Sequence, residues 1–414
     1  MELIKNEKRS IKKGWIVTLA GALFFFYAFV QANMMTALSP YLQKAFGATV
    51  QDMGFLSGCF FYSNVIFLIP AGLILDRVSI KKIFFFNLLI AAFGTLLFAM
   101  TTSLYIAAFS RFLSGIMMAF GLIACLKLAS LVLPARFMGL ASSLIVMIGM
   151  FGGVFSQAPL ALVIEKMGWK GAVLVLSSIG FILSFVLWAV ISLTKVEESL
   201  EKMDQKISIF KSLSMAFKEK QNWMAGLFIS LLNFPVAILG ALFGITYLMN
   251  SFNVEYITAA SIVSMLFLGM LIGSPVFGLI SDKMGKRRFP MLIGSVFCLI
   301  FVMMVLYSSI TSIAVLHMLF FLIGFTSASQ ALGYPIISMS NPPHVTGVAL
   351  SLGAILIMGL GYGFGLPFVG FLIEKWGAGQ AAYHHAFQIM PIGIVLAMSM
   401  VLGLKEYKME LQSS

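Results

Sequence analysis

The sequence predicts an all-α polytopic membrane protein: twelve transmembrane helices forming two six-helix bundles related by pseudo-two-fold symmetry. Three observations predict it. The 414 residues are 60% hydrophobic and only 10% charged, with a mean hydropathy of +1.02. A soluble domain carries roughly 25% charged residues, and a chain of this length has no way to hide so much apolar surface in water. The apolar residues fall in twelve runs, each close to the roughly 20 residues that span a bilayer as a helix. A polar hinge, Gly72-Leu-Ile-Leu-Asp76-Arg77-Val-Ser-Ile-Lys81-Lys82, recurs as Gly278-Leu-Ile-Ser-Asp282-Lys283-Met-Gly285-Lys286-Arg287-Arg288, 206 residues on from acid to acid.

In order, the first six runs are about 15–39, 53–75, 83–101, 104–130, 138–164 and 171–193. The second six are about 223–249, 257–281, 290–309, 312–337, 346–373 and 384–404. The expected organisation is therefore a bundle over 1–193, a linker over 194–222, and a bundle over 223–414 with a short tail. The linker is the longest polar stretch, mixed in charge, with an amphipathic piece near 209–217 that predicts a surface helix. The basic start (Lys5, Lys8, Arg9, Lys12, Lys13) precedes an apolar run too long for a signal-peptide core, so the run reads as a retained first span. Cys59, Cys125 and Cys298 all sit inside apolar runs and read as small buried hydrophobes, not as a disulfide set or metal site.

Twelve spans place both termini on one side. If that side is cytoplasmic, its loops and tails hold 21 Lys and Arg, against Lys44, Lys166, Lys170 and Lys375 opposite. Positive loops resist translocation, so the expectation is a plasma membrane protein, the inner membrane of a bacterium, with cytoplasmic termini. The net charge of +12 is explained by these loops, and no nucleic-acid partner is expected. The expected partners are a small-molecule solute and the lipid bilayer, with the protein acting as a monomer. No cofactor is expected.

The repeat extends beyond the hinge. Glu165-Lys166-Met-Gly168 closes run five and Glu374-Lys375-Trp-Gly377 closes run eleven, 209 residues on. Arg111-Phe-Leu-Ser-Gly115 pairs with Phe320-Phe-Leu-Ile-Gly324, also 209 residues on. Parallel repeats of this kind build transporters whose solute site lies near the midplane. On these residues the chain resembles the major facilitator superfamily over essentially its whole length. That family's hinge reads G-x-x-x-D-[RK]-x-G-[RK]-[RK]; the second copy matches it fully, while the first has Ser79 and Ile80 at two positions. Lys127-Leu-Ala, Arg136-Phe and Gln157-Ala-Pro159 further resemble a bacterial branch related to lysosomal dipeptide transporters.

The resemblance implies gating roles for the hinge residues Gly72, Asp76, Arg77, Gly278, Asp282 and Lys283. The acids would face the positive ends of neighbouring helices, and the glycines would permit close helix approach. Asp76 would latch the cytoplasmic gate, or serve only as a topology anchor. Pro159 in span five and Pro367 in span eleven sit among glycines and read as bending or gating points.

The candidate solute contacts lie in spans one, four, seven and ten, which line the cavity in this superfamily. Arg111 lies about 10 Å into span four. A charge at such depth usually faces a wet interior; it either binds the solute or is held by carbonyls or by Gln31 and Asn33. Lys127, roughly 24 Å further and about 160° around, is either a pathway residue or a snorkelling anchor. Tyr27 and Gln31 share a face of span one; Asn233 precedes Pro235 in span seven; Thr326, Gln330 and Tyr334 form an i, i+4, i+8 stripe on span ten. Each is either a substrate contact or a helix–helix hydrogen bond. His317 is a candidate proton carrier, or a structural histidine.

None of the 15 acids falls mid-span. A cavity whose clearest charge is Arg111 suits a carboxylate better than a cation. The expected function is secondary active or facilitative transport of a small organic anion or zwitterion, such as a dipeptide, amino acid or organic acid, by alternating access. Drug or toxin efflux on the same fold is the alternative. A lipid-modifying enzyme is the remote one, since His384-His385 lack an acid beside them; no enzyme activity is expected.

Overall fold

The computed structural model describes residues 2–192, 209–308, 310 and 312–406. The side chain of Asp76 and the stretch 193–208, which carries much of the expected linker charge, lie outside the described residues. The described residues are helical, with no strand among them. In a bilayer each backbone N–H and C=O must be satisfied within the segment, and a helix does this locally.

Span one is Ile11–Asn33, at the end of a longer helix, and is followed by a separate helix Met35–Phe46 that contains Pro40. Spans two to four are Val50–Arg77, Ile80–Met100 and Leu104–Val132. Span five starts as Met138–Phe155, breaks at Ser156 and Gln157, and resumes in Ala158–Ser192. The break comes just ahead of Pro159, whose missing N–H cannot bond back to residue 155. Span six is the rest of Ala158–Ser192, set off at Gly168, where φ is +72°. The helix Ile209–Lys218 falls where the amphipathic pattern predicts it.

Span seven is broken by Pro235 into Lys220–Leu232 and Val236–Phe252, bent by 49°. It begins a few residues earlier than the hydropathy run suggests. Spans eight to twelve are Tyr256–Met284, Arg288–Tyr307, Ile313–Met339, Val345–Lys375 and Gln380–Gly403. Among the described residues eleven helices are long and apolar enough to cross a membrane, and the bent pair makes twelve.

Contacts divide the chain into two compact units. The first holds Met1–Met34, Lys44–Phe46 and Cys59–Met203; the second holds Met35–Gln43, Gly47–Gly58 and Asp204–Ser414. Inside the first, span one packs on spans four and five, and span three on spans four and six. Inside the second, span seven packs on spans ten, eleven and twelve, and span nine on spans ten and twelve. The wiring of each unit thus repeats, as a duplicated sequence requires. The core of the first unit is aromatic, with Phe24 against Phe84 at 4.8 Å between centroids. Among such side chains Arg111 stands apart as the largest fully buried one.

Candidate functional site

Span four carries Arg111 and, one turn later, Gly115. A Cβ at Gly115 would run into the Phe60 carbonyl, so glycine here lets span four rest directly on span two. That approach lays the Phe60 ring over the guanidinium, 4.6 Å from its carbon. Arg111 Nη1 donates to the Gln31 carbonyl at 2.9 Å. Arg111 Nε and Nη2 have no hydrogen-bond partner among the described residues. These two N–H groups form the side-on edge that grips a carboxylate with two parallel bonds. The carbonyl-bound alternative therefore accounts for one nitrogen of three.

Tyr27 and Gln31 are tied into the first unit. Gln31 Nε2 donates to the Tyr27 hydroxyl at 2.8 Å and to Thr95 Oγ1 at 2.9 Å, and the Tyr27 hydroxyl donates to the Leu176 carbonyl at 3.0 Å. Span three thus contributes Thr95, which no sequence pattern singled out. Asn33 donates to the Phe29 carbonyl in its own helix, not to Arg111. Lys127 Nζ donates to the Leu75 carbonyl, in the last turn of span two where carbonyls lack helical partners. The structure does not bring Lys127 to Arg111.

The second unit holds a neutral cluster. Gln330 Nε2 donates to Asn233 Oδ1 at 3.0 Å, and Asn233 Nδ2 donates to the Tyr362 hydroxyl at 2.9 Å. Tyr362 belongs to span eleven and was missed, because it is a lone tyrosine in a glycine-rich run. The expected stripe of Thr326, Gln330 and Tyr334 is not regular. Residues Ala328–Leu332 form a 3₁₀ turn, which advances each residue by about 20° more than an α-helix. Thr326 bonds the Leu322 carbonyl of its own helix, Gln330 turns to Asn233, and Tyr334 stays partly exposed.

Asn233 and Tyr362 lie beside and within distorted backbone, respectively. Val236–Phe243 in span seven and Ile357–Phe364 in span eleven are π-helical. Each ends on a glycine whose N–H reaches back five residues: Gly244 to the Leu239 carbonyl, Gly365 to the Leu360 carbonyl. A Cβ on either glycine would crowd that carbonyl. Thr36 Oγ1 bonds the Gly240 carbonyl within the first π segment, and Ser230 Oγ bonds the Leu356 carbonyl at the edge of the second.

Span eleven also takes the start of span two. Cβ atoms at Gly54 and Gly58 would fall 2.8 Å from the Leu366 carbonyl and from Pro367 Cγ, respectively, and one at Gly370 would fall 3.0 Å from the Val50 carbonyl. Glu374 accepts from the Val50 N–H at 3.2 Å, an acid at a helix N-terminus.

At the hinges, the close helix approach expected at Gly72 and Gly278 is not seen: a Cβ at either meets nothing within 4 Å. Both glycines sit in the last turns of their helices, ahead of the loop. The turns also differ. Gly285 ends span eight with φ +60°, a conformation that suits glycine, whereas Ser79 passes into span three with φ −51° and ψ 129°. Arg77, Asp282 and Lys283 are exposed. Glu406 accepts from the Arg287 and Arg288 backbone N–H groups at 2.6 and 3.4 Å, and the Arg288 side chain donates to the Val401 and Leu402 carbonyls at 3.1 and 2.7 Å. Burial pulls the Arg287 guanidinium below its ordinary range, while Asp282 and Glu406 pull it back. His317 has both ring nitrogens engaged, by the Ile313 carbonyl and by Ser261 Oγ, each at 2.9 Å.

Comparison with known proteins places this geometry. The family model described as Major Facilitator Superfamily matches residues 20–359 and 236–412. Similar curated proteins are the uncharacterized transporter YybO of Bacillus subtilis (25% identical over 154 residues) and the probable galactarate/D-glucarate transporter GudP of Escherichia coli (26% over 186). The drug efflux pump JefA of Mycobacterium tuberculosis is 26% identical over 185 residues. These alignments span 37–44% of this chain and only 35–41% of those relatives. Among solved structures, a bacterial homologue of the human lysosomal transporter Spinster, inward-facing and unoccupied, aligns with a TM-score of 0.78 at 16% identity, over 94% of this chain and 96% of its own. The nucleoside transporter NupG aligns with a TM-score of 0.74 at 16% identity, over 94% and 100%. At that identity the likeness speaks for the fold alone. The chain belongs to the Major Facilitator Superfamily and is a multi-pass membrane protein.

Proposed function

We propose that the protein is a secondary transporter of a small carboxylate-bearing solute, an organic acid, amino acid or dipeptide, working by alternating access. The observation that carries this reading is the side-on edge of Arg111, Nε and Nη2, buried and without a partner. A buried guanidinium is costly unless something negative pairs with it. No acid lies mid-span to do so, so the solute supplies the charge. Phe60 and the Gln31 carbonyl hold the fork in place before the solute arrives, which limits the entropy lost on binding. The similarity to GudP, whose name gives dicarboxylate sugar acids, agrees with an anion. The charge bias of the loops supports a bacterial inner membrane with cytoplasmic termini.

The second reading is drug efflux, supported by the similarity to JefA. It would need an acid in the cavity for a cationic drug. The test is uptake into proteoliposomes. Arg111→Ala should raise the apparent KM for carboxylates by about tenfold or more. Unchanged carboxylate uptake, together with expulsion of cationic dyes by the wild type, would favour efflux.

A further inference from the structure

The second unit carries polar groups that the carboxylate reading leaves unused. Gln330 is 8% exposed, and its Oε1 has no partner among the described residues. The rest of the cluster is committed: the Gln330 amide nitrogen goes to Asn233 Oδ1, and the Asn233 nitrogen to the Tyr362 hydroxyl. One acceptor is thus left over at the end of an ordered chain of bonds. The backbone beside it departs from α-helical geometry. Tyr362 lies inside one π segment and Asn233 three residues before the other, and the described residues hold no third. Such segments weaken a helix and concentrate at functional sites.

We propose that Gln330, Asn233 and Tyr362 form a hydroxyl-binding site, and that the solute is a hydroxylated carboxylate rather than an amino acid. The chemistry excludes the ammonium group. The described acids of this unit, Asp52, Glu219, Glu255, Asp282, Glu374 and Glu406, all lie in the terminal turns of helices or beyond them. An ammonium ion at a neutral amide cluster would be desolvated without a counter-charge. A hydroxyl costs far less to desolvate and donates to Gln330 Oε1. It also serves if both amides are turned over, because a hydroxyl accepts as well as it donates. A site built to bond a hydroxyl rejects the analogue that lacks it, since the amide is then left unpaired. The inference rests on the carboxylate reading only for the acid group of the solute.

The experiment is ligand-induced thermal stabilisation of the purified full chain with matched probes: gluconate, its deoxy counterpart hexanoate, the neutral polyol sorbitol, and the amino acids serine and alanine. Gluconate should stabilise at concentrations about tenfold lower than hexanoate. Gln330→Met should remove that tenfold preference, bringing the gluconate response down to that of hexanoate. Equal responses to gluconate and hexanoate, no response to any hydroxylated probe, or a stronger response to the amino acids would each overturn the proposal. Sorbitol acting as well as gluconate would leave the hydroxyl site standing and refute the carboxylate reading instead. The wild-type panel decides the matter even if the variant fails to fold.

Discussion

Arg111→Met separates a binding arginine from a structural one. Methionine keeps an unbranched chain of similar length and removes the charge. In the protein without solute, the change relieves two buried N–H groups, Nε and Nη2, each costing about 1–3 kcal/mol unpaired. Against that, it deletes the Nη1 bond to the Gln31 carbonyl, worth about 1.5–3 kcal/mol for a charged donor. It also deletes the contact with Phe60, worth about 0.5–2 kcal/mol. The two sides cancel to within about 2 kcal/mol, so Tm should move by no more than about 8 °C, taking roughly 2–4 °C per kcal/mol. Solute binding loses both bonds of the fork, about 3 kcal/mol or more, which is at least a hundredfold in affinity. The assay pairs a melting curve with carboxylate uptake on the same preparation. A fall in Tm of more than about 10 °C would mark Arg111 as a structural member of the first unit, and uptake at the wild-type rate would remove it from the site.

Three further outcomes are expected. Gly58→Leu drives a side chain into Pro367 and the Gly363 carbonyl; uptake should fall at least tenfold, since overpacking of this kind costs about 1–3 kcal/mol, and normal uptake would show that this contact is not needed. Gly285→Ala forces a Cβ into a left-handed turn and should cost about 1 kcal/mol, seen as a lower Tm, whereas Ser79→Gly should not raise it, because φ there is −51°. Glu406→Ala frees the Arg287 and Arg288 N–H groups at the start of span nine, and should lower Tm by a few degrees, with about 1 kcal/mol lost as for a helix cap, while uptake persists.

The spans were legible because lipid leaves little choice: a segment such as Arg288–Tyr307 must be apolar over most of its length. The turns were legible where glycine or proline forced them, as at Gly168 and Pro159. The polar clusters were legible only in part. Arg111 announced itself by its depth, and Asn233 and Gln330 by their polarity. Tyr362, Thr95 and Phe60 did not, because each acts through a partner far away in the chain and repeats with no period. The glycines were misjudged in one respect. A Cβ on Gly72 or Gly278, set in the hinge, would meet nothing within 4 Å, whereas Gly54, Gly58 and Gly115 take the close contacts. A glycine's neighbour is a tertiary fact, and the residues around it in sequence do not reveal it.

The π segments in spans seven and eleven also bear on how the chain tolerates change in length. A π turn holds at least one residue more than the α-helical ladder requires. Deleting a residue from an ordinary span turns every later side chain by about 100° and shifts it by 1.5 Å, which scrambles the faces turned to protein and to lipid. Within Val236–Phe243 or Ile357–Phe364 the surplus can instead be absorbed where it lies, with Leu239 and Leu360 bonding four residues on rather than five. Among the described residues these are the two stretches where the loss of one residue is expected to leave the helix continuous.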